Sequence, residues 1–324
     1  MAITTHRVVS YSVDYDDGDN QVSFEVEHKP DDSGEVIVRE LQQGGWVVGY
    51  LSHDDICENP LETSDCQGHI YTARRHVSRE EHQGFQEALG LDSDWRRDRS
   101  LKPNPLAVIL DCYDHGNQVW AVSGSMRSRM FPDQQWDVAH GGGVWVPDDG
   151  AMENIHMTAM KSWLPKAVYI GYESEPPYGA DGKGYLNRIV VKIKVGDALK
   201  SLQSHRSKHC KVSLPNEINL WPKGYKSFDS AIRAAYRFLG IKPNPQEYKK
   251  RLRDAAVAYA ETILEEYNAW LSGDAWGVCV EVFNAEAERI DSDSCWGHIG
   301  HAYAKEELTA AIDAAVKSQE KETP

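Results

Sequence analysis

Alternation with a period of two dominates the first fifty residues. Val22, Phe24 and Val26 are apolar where Ser23, Glu25 and Glu27 are polar, which is the pattern of a strand with one buried face. His6 to Tyr15, Gln21 to Glu27, Glu35 to Glu40 and Gly45 to Leu51 read as strands, broken by Asp-Gly, Pro-Asp-Asp and Gly-Gly turn signals. They predict an antiparallel hairpin or meander. Its polar face carries carboxylates spaced about 6.6 Å along the strand.

Ser78 to Leu91 changes to a helical pattern, with Ser78 as cap and Glu81 three residues on. An apolar run from Leu106 to Leu110 and the segment Gln118 to Ser123 predict a hairpin turning at His115-Gly116-Asn117. Gly141-Gly142-Gly143 then leads into a strand at Val144-Trp145-Val146. Beyond it lie strands near Ala167 to Tyr172 and Arg188 to Val195, a short helix from Asp197, and a helix from Asp229 to Leu239.

The longest helical pattern runs from Pro245 to Leu271, with Asn244 as cap, Pro245 at the first position and Glu247 completing a capping box; Gly273 closes it. A strand from Ala275 to Phe283 follows. The chain is then expected to turn through acidic residues into Ser294-Cys295-Trp296-Gly297-His298-Ile299-Gly300, before a last helix from Ala302 to Lys317 with Leu308, Ile312 and Val316 on one face. Cys-x-Gly-His-Ile occurs twice, at Cys66 and at Cys295. The fold class these elements predict is α+β: an antiparallel sheet from both ends of the chain, covered by the long helix, with an inserted small α+β domain.

Charge sharpens the domain picture. Asp14 to Val36 holds nine carboxylates against Lys29 alone, whereas residues 148–243 hold 15 Lys and Arg against 9 Asp and Glu, in a chain of net charge -15. The sign change predicts a discontinuous core of 1–147 plus 244–324 around an inserted 148–243. The six cysteines are scattered without a dense framework, as in a reducing compartment. The first residues lack a signal-peptide pattern, and no run approaches the roughly 18 apolar residues of a membrane span, so the expected location is cytoplasmic with no membrane partner.

Two clusters carry candidate chemistry. Asp111, Asp114, His115 and Asp137 are the residue types of a metal-assisted hydrolase, though also ordinary turn formers. Cys295, His298 and His301, with Cys66 and His69, are zinc-competent without a finger spacing. A tight turn around a buried cysteine is the plainer account of them. Ser123-Gly124-Ser125 lacks a nucleophile elbow, and the glycine triplet lacks the lysine and helix of a phosphate loop. The basic stretch Lys200 to Lys211 is outweighed by an acidic chain that phosphate repels at long range, so neither direct nucleic-acid binding nor a cofactor is expected.

Several pieces together resemble a family of bacteriophage and mobile-element accessory proteins. They are Glu58-Asn59-Pro60, Asp65-Cys66-Gln67-Gly68 and Arg74-Arg75; Tyr113-Asp114-His115; Trp136-Asp137 with Gly142-Gly143-Val144; and Trp270-Leu271-Ser272-Gly273-Asp274-Ala275-Trp276-Gly277 through Asp293-Ser294-Cys295-Trp296-Gly297 to Ile299-Gly300. The likeness covers roughly residues 45–147 and 244–318. The family does not require histidine at His69, His298 or His301, which weighs against ligand roles for them. The resemblance implies a phage accessory gene. With the charge and the missing catalytic motifs, it leads to the expectation of a non-enzymatic inhibitor in the host cytoplasm. Its partner would be a host defence complex, a nuclease or nucleic-acid sensor whose DNA-binding surface it blocks. Asp14, Asp16, Asp17, Asp19, Glu25, Glu27, Asp31 and Asp32 are the expected electrostatic contacts, with anchors among Trp136, Trp145, Trp221 and Trp276, some of which must be core. The alternatives are the hydrolase and a virion or assembly component. The aromatic content is compatible with a homo-oligomer.

Overall fold

The computed structural model describes residues 11–16, 21–32, 36–42, 44–63, 66–73, 78–91, 102–160, 168–173, 188–194, 211–214, 217–219, 228–239 and 244–321. Its elements begin with β1 (Tyr11–Asp16), β2 (Gln21–Val26), β3 (Val36–Glu40), β4 (Trp46–His53), α1 (Pro60–Thr63), β5 (His69–Thr72), α2 (Arg79–Leu89), β6 (Val108–His115), β7 (Asn117–Val122) and α3 (Met126–Arg129). They continue with β8 (Val138–Val146), α4 (Asp149–Met160), β9 (Val168–Glu173), β10 (Arg188–Lys194), β11 (Lys211–Leu214), β12 (Glu217–Asn219), α5 (Phe228–Leu239), α6 (Pro245–Leu271), β13 (Ala275–Phe283), β14 (Arg289–Ile299) and α7 (His301–Lys321). The class is α+β. The helix expected from Asp197, Arg74-Arg75, and the basic stretch up to Cys210 lie outside the described residues.

Compactness divides the chain into unit 1, residues 1–63, 113–119 and 264–324, and unit 2, residues 64–112 and 120–263. The changes of charge at 148 and 243 fall inside unit 2.

Unit 1 holds a four-stranded sheet in the order β14-β13-β4-β3, antiparallel throughout and drawn from both ends of the chain. Every residue of β13 is buried, which is why AWGVCVEVF is nearly continuous in apolar character instead of alternating. On one face Ala304, Leu308 and Ile312 of α7 meet Val47, Leu51, Val278, Val280 and Val282. Burial of side chains such as Leu308 and Ile312 contributes about 1.5–3 kcal/mol each. Gly49 gives α7 its close approach, since a Cβ there would collide with Ile312. The covering helix is thus α7, whereas the long α6 was the expected one.

The opposite face of this sheet is covered by the β1–β2 hairpin. Val13, Phe24 and Val26 pack with Val48, Tyr50, Cys279 and Phe283, and the Phe24 ring lies 4.9 Å from Phe283 and 5.5 Å from Trp46. The alternation in β2 has its predicted sense: Phe24 and Val26 are buried and Ser23 and Glu25 exposed.

Unit 2 contains the sheet β5-β8-β6-β7, except for residues 113–119 of the β6–β7 hairpin, which are counted with unit 1, and the sheet β11-β12-β10-β9 with α5 against β9 and β10. Ser78 caps α2 by accepting the Glu81 N–H, and Phe85 and Ala88 pack on Ala107 and Val144. Three bonds pin the loop before β5. The Tyr259 hydroxyl donates to the Cys66 carbonyl at 2.8 Å, the Trp145 indole to the Gln67 carbonyl at 2.8 Å, and the Gly68 N–H to the Asp148 carboxylate at 2.7 Å.

Candidate interaction face

The acidic stretch after β13 is a strand. The reversal is complete by Glu288: the Asn284 side chain accepts the N–H groups of Glu286 and Glu288, and Ala287 takes φ 61°. β14 then pairs back along all of β13. Its first nine residues are exposed, and it stands at the end of the sheet. The ladder is regular from Asp291 to Cys295. The register shifts between Val282 and Phe283 and again between Trp276 and Val278, each time with an extra residue on β14, the signature of a β-bulge.

Facing follows from register. Asp291, Asp293 and Cys295 lie opposite Val282, Val280 and Val278, on the α7 side, while Ser292 and Ser294 lie opposite Glu281 and Cys279, on the hairpin side. At the second bulge the Trp296 ring lies over Gly277, where a Cβ would stand 2.5 Å from it, and meets His28 edge-on at 4.9 Å. Gly297 adopts φ 86°, and its N–H donates to the Asp54 carboxylate at 3.0 Å. The Cys-Trp-Gly segment is therefore a bulge built on a left-handed glycine.

A buried carboxylate ties the hairpin to the sheet. Glu281 is 2 % exposed and accepts from the Tyr50 hydroxyl at 2.6 Å, the Glu27 N–H at 2.8 Å and Arg289 at 2.9 Å. Tyr50 in turn accepts the His28 N–H at 3.1 Å. Burial, then the bond to Glu281, pushes the Tyr50 phenol far above its ordinary value. Burial pushes the neighbouring Cys279 thiol up to about 12, with Glu281 adding to it. The bond to Glu281 holds the Arg289 guanidinium still more firmly charged. Three donors on one buried carboxylate satisfy the charge that the apolar surroundings would otherwise disfavour.

The expected electrostatic residues have different fates. Asp14, Asp16 and Glu25 project from the outer face of the β1–β2 hairpin. Glu27 is exposed but lies 3.4 Å from Arg289. Asp32 pairs with Lys29 at 3.1 Å, and Asp31, its side chain 10 % exposed, faces His53 at 3.3 Å. Asp17, Asp19 and Trp221 lie outside the described residues. Trp145 is fully buried and Trp276 is 6 % exposed. Both are core residues and not surface anchors, because each indole N–H is held internally, by Gln67 and by Asp274. Trp136 is 79 % exposed, and Met126 and Met130 are exposed as well.

The rival clusters have internal roles. Asp111, 2 % exposed, accepts from the Ser128 hydroxyl at 2.5 Å and the Gly141 N–H at 2.8 Å, with His140 at 3.6 Å. Burial alone would raise its carboxyl, but Ser128, Gly141, Ser123 and His140 together bring it below the ordinary value. Asp114 is three residues further along β6 and so projects from the opposite face. His115 ends that strand, and Asp137 donates its N–H to the Asp133 carbonyl. The Trp276 ring meets His53 at 4.2 Å and His301 at 5.0 Å, and His298 meets Tyr303 at 5.7 Å. His69 bonds Glu81 at 3.0 Å. Among the described residues no group of three or more His, Cys, Asp and Glu is arranged to hold a metal ion.

No family model, curated protein or solved structure matches the chain. No helix among the described residues is long and apolar enough to cross a membrane.

Proposed function

We propose that the chain acts by binding, as a phage-encoded accessory protein that inhibits a host defence complex in the host cytoplasm. Unit 1 offers two acidic surfaces, the outer face of the β1–β2 hairpin with Asp14, Asp16 and Glu25, and the strand β14 with Asp291 and Asp293. The partner is a protein with a basic nucleic-acid-binding surface, a defence nuclease or nucleic-acid sensor, whose DNA-binding site these carboxylates occupy. The observation that carries this reading is the exposure of nine consecutive residues on a terminal strand. A surface of that kind is costly to leave unused, because open strand edges invite association.

The hydrolase alternative draws no support from Asp111, whose carboxylate is occupied by Ser128 and Gly141. The test is purification of the tagged protein from a defended host, followed by reversal of Asp14, Asp16, Asp17 and Asp19 to lysine. A stoichiometric nuclease or sensor whose association slows and loses its salt dependence in the variant is the expected result. Unchanged binding by the variant at physiological salt removes the β1–β2 hairpin from the electrostatic reading, unchanged binding after reversal of Asp291 and Asp293 as well removes that reading altogether, and recovery of the protein in purified virions favours the assembly alternative.

A further inference from the structure

The manner in which β14 meets its partner follows from three features of the strand. Its regular ladder spans Asp291 to Cys295 and is framed by a bulge at each end. An edge strand carries N–H and C=O groups directed away from its one neighbour, and these form a template for another extended segment. Bulges end regular pairing, so the template is about five residues long.

Charge decides what pairs there. Asp291 and Asp293 share the α7 side of the strand, one pleat repeat apart; the Asp291 carboxylate accepts the Ser292 N–H at 2.9 Å, a bond that a cation facing Asp291 must draw away before a docked strand can use that donor. A second copy of the chain docked edge to edge brings aspartate against aspartate, and like charges on facing strands repel. An extended segment with lysine or arginine at alternate positions meets each carboxylate with the opposite charge instead. On the other side it meets Ser292 and Ser294, which admit side chains of any character.

We infer that β14 is a docking edge that takes an extended, alternately basic segment of a partner protein as a fifth strand of the unit 1 sheet. The inference rests on the binding reading above and specifies its mode. Backbone bonds supply affinity, and the paired aspartates select for basic residues and against self-association. Cys295, exposed beside the same run, continues the α7 side and accommodates a third side chain.

The experiment titrates the full-length protein with two fluorescent peptides of equal composition, Lys-Val-Lys-Val-Lys-Val and Lys-Lys-Lys-Val-Val-Val, read by anisotropy. Isotope-edited infrared spectroscopy follows the strand content of the labelled peptide. The alternating peptide is expected to bind about tenfold tighter, the effect of two opposite-charge pairs in register, and to gain strand signal on binding. Asp291→Lys with Asp293→Lys is expected to abolish that preference. Asp291→Asn with Asp293→Asn, which keeps size and hydrogen bonding, is expected to reduce it while the circular dichroism stays that of the parent. Equal affinity for the two peptides overturns strand addition and leaves the acidic-face reading standing. Failure of both peptides to bind overturns the two together.

Discussion

Replacing Tyr50 by phenylalanine tests whether the Glu281 network holds the hairpin to the sheet. Tyr50 is fully buried, and the substitution removes one oxygen while keeping the ring, so the packing cost is small. What is lost is the 2.6 Å bond to Glu281, one of the three donors on a carboxylate that is 2 % exposed. A hydrogen bond to a charged group is worth about 1.5–3 kcal/mol. The His28 N–H also loses its acceptor, but that residue is only half-buried and water replaces much of the loss. The expected destabilisation of unit 1 is about 2 kcal/mol, a fall of about 1 M in urea midpoint at an ordinary slope. Near-ultraviolet circular dichroism reports it through Trp46, Trp276 and Trp296 of this unit. A double-mutant cycle with Glu281→Gln should return a coupling of about 1 kcal/mol or more. A midpoint shift below about 0.2 M, or additive effects in the cycle, refutes the argument that this bond carries the tether.

Alkaline pH should destabilise the protein through the same region. The folded state holds Cys279 protonated up to about 12, from an ordinary value of 9.0, and Tyr50 higher still; stability is fully present below pH 9 and falls as pH rises above it, by up to about 1.4 kcal/mol per unit and per group, as pH-dependent urea melts would record. Asp111→Asn should cost about 1–3 kcal/mol through the loss of a charged acceptor for Ser128 and Gly141. It should also remove part of the stability that the parent, with its lowered Asp111 carboxyl, loses as pH falls through the acid range. Gly277→Ala should push the Trp296 ring off the strand, costing about 1–3 kcal/mol and shifting tryptophan emission to the red.

Much of the fold was legible because local chemistry and tertiary burial agree. The cap at Ser78, the start of α6 at Pro245 behind Asn244, and the face of α7 with Leu308 and Ile312 all appear as the residue pattern implies. β14 was illegible for a physical reason: its first nine side chains are all exposed, so no period of two survives in RIDSDSC and it reads as a loop. In the sequence Glu281 is one carboxylate in an apolar run and carries no signal of its own. Recognising it as buried requires Arg289 and Tyr50, which are brought to it by the turn and by β4. Tryptophan misled most. Trp145 and Trp276 have the residue type of interface anchors, but each was committed to the core by an internal acceptor that sequence does not reveal.

The repeated Cys-x-Gly-His-Ile has a common explanation in backbone construction. Gly68 and Gly297 both take positive φ, 68° and 86°, and each donates its N–H to an aspartate remote in sequence, Asp148 and Asp54. The two copies sit in different units, the first running into the start of β5 and the second forming the end of β14 ahead of α7. Five shared residues thus record one solution to one local problem, a left-handed glycine clamped by a distant carboxylate. A gene duplication need not be invoked for them. The two pieces are alike first of all in how a bend of the backbone is fastened. Any binding role belongs instead to the side chains that such a fastening holds out to solvent.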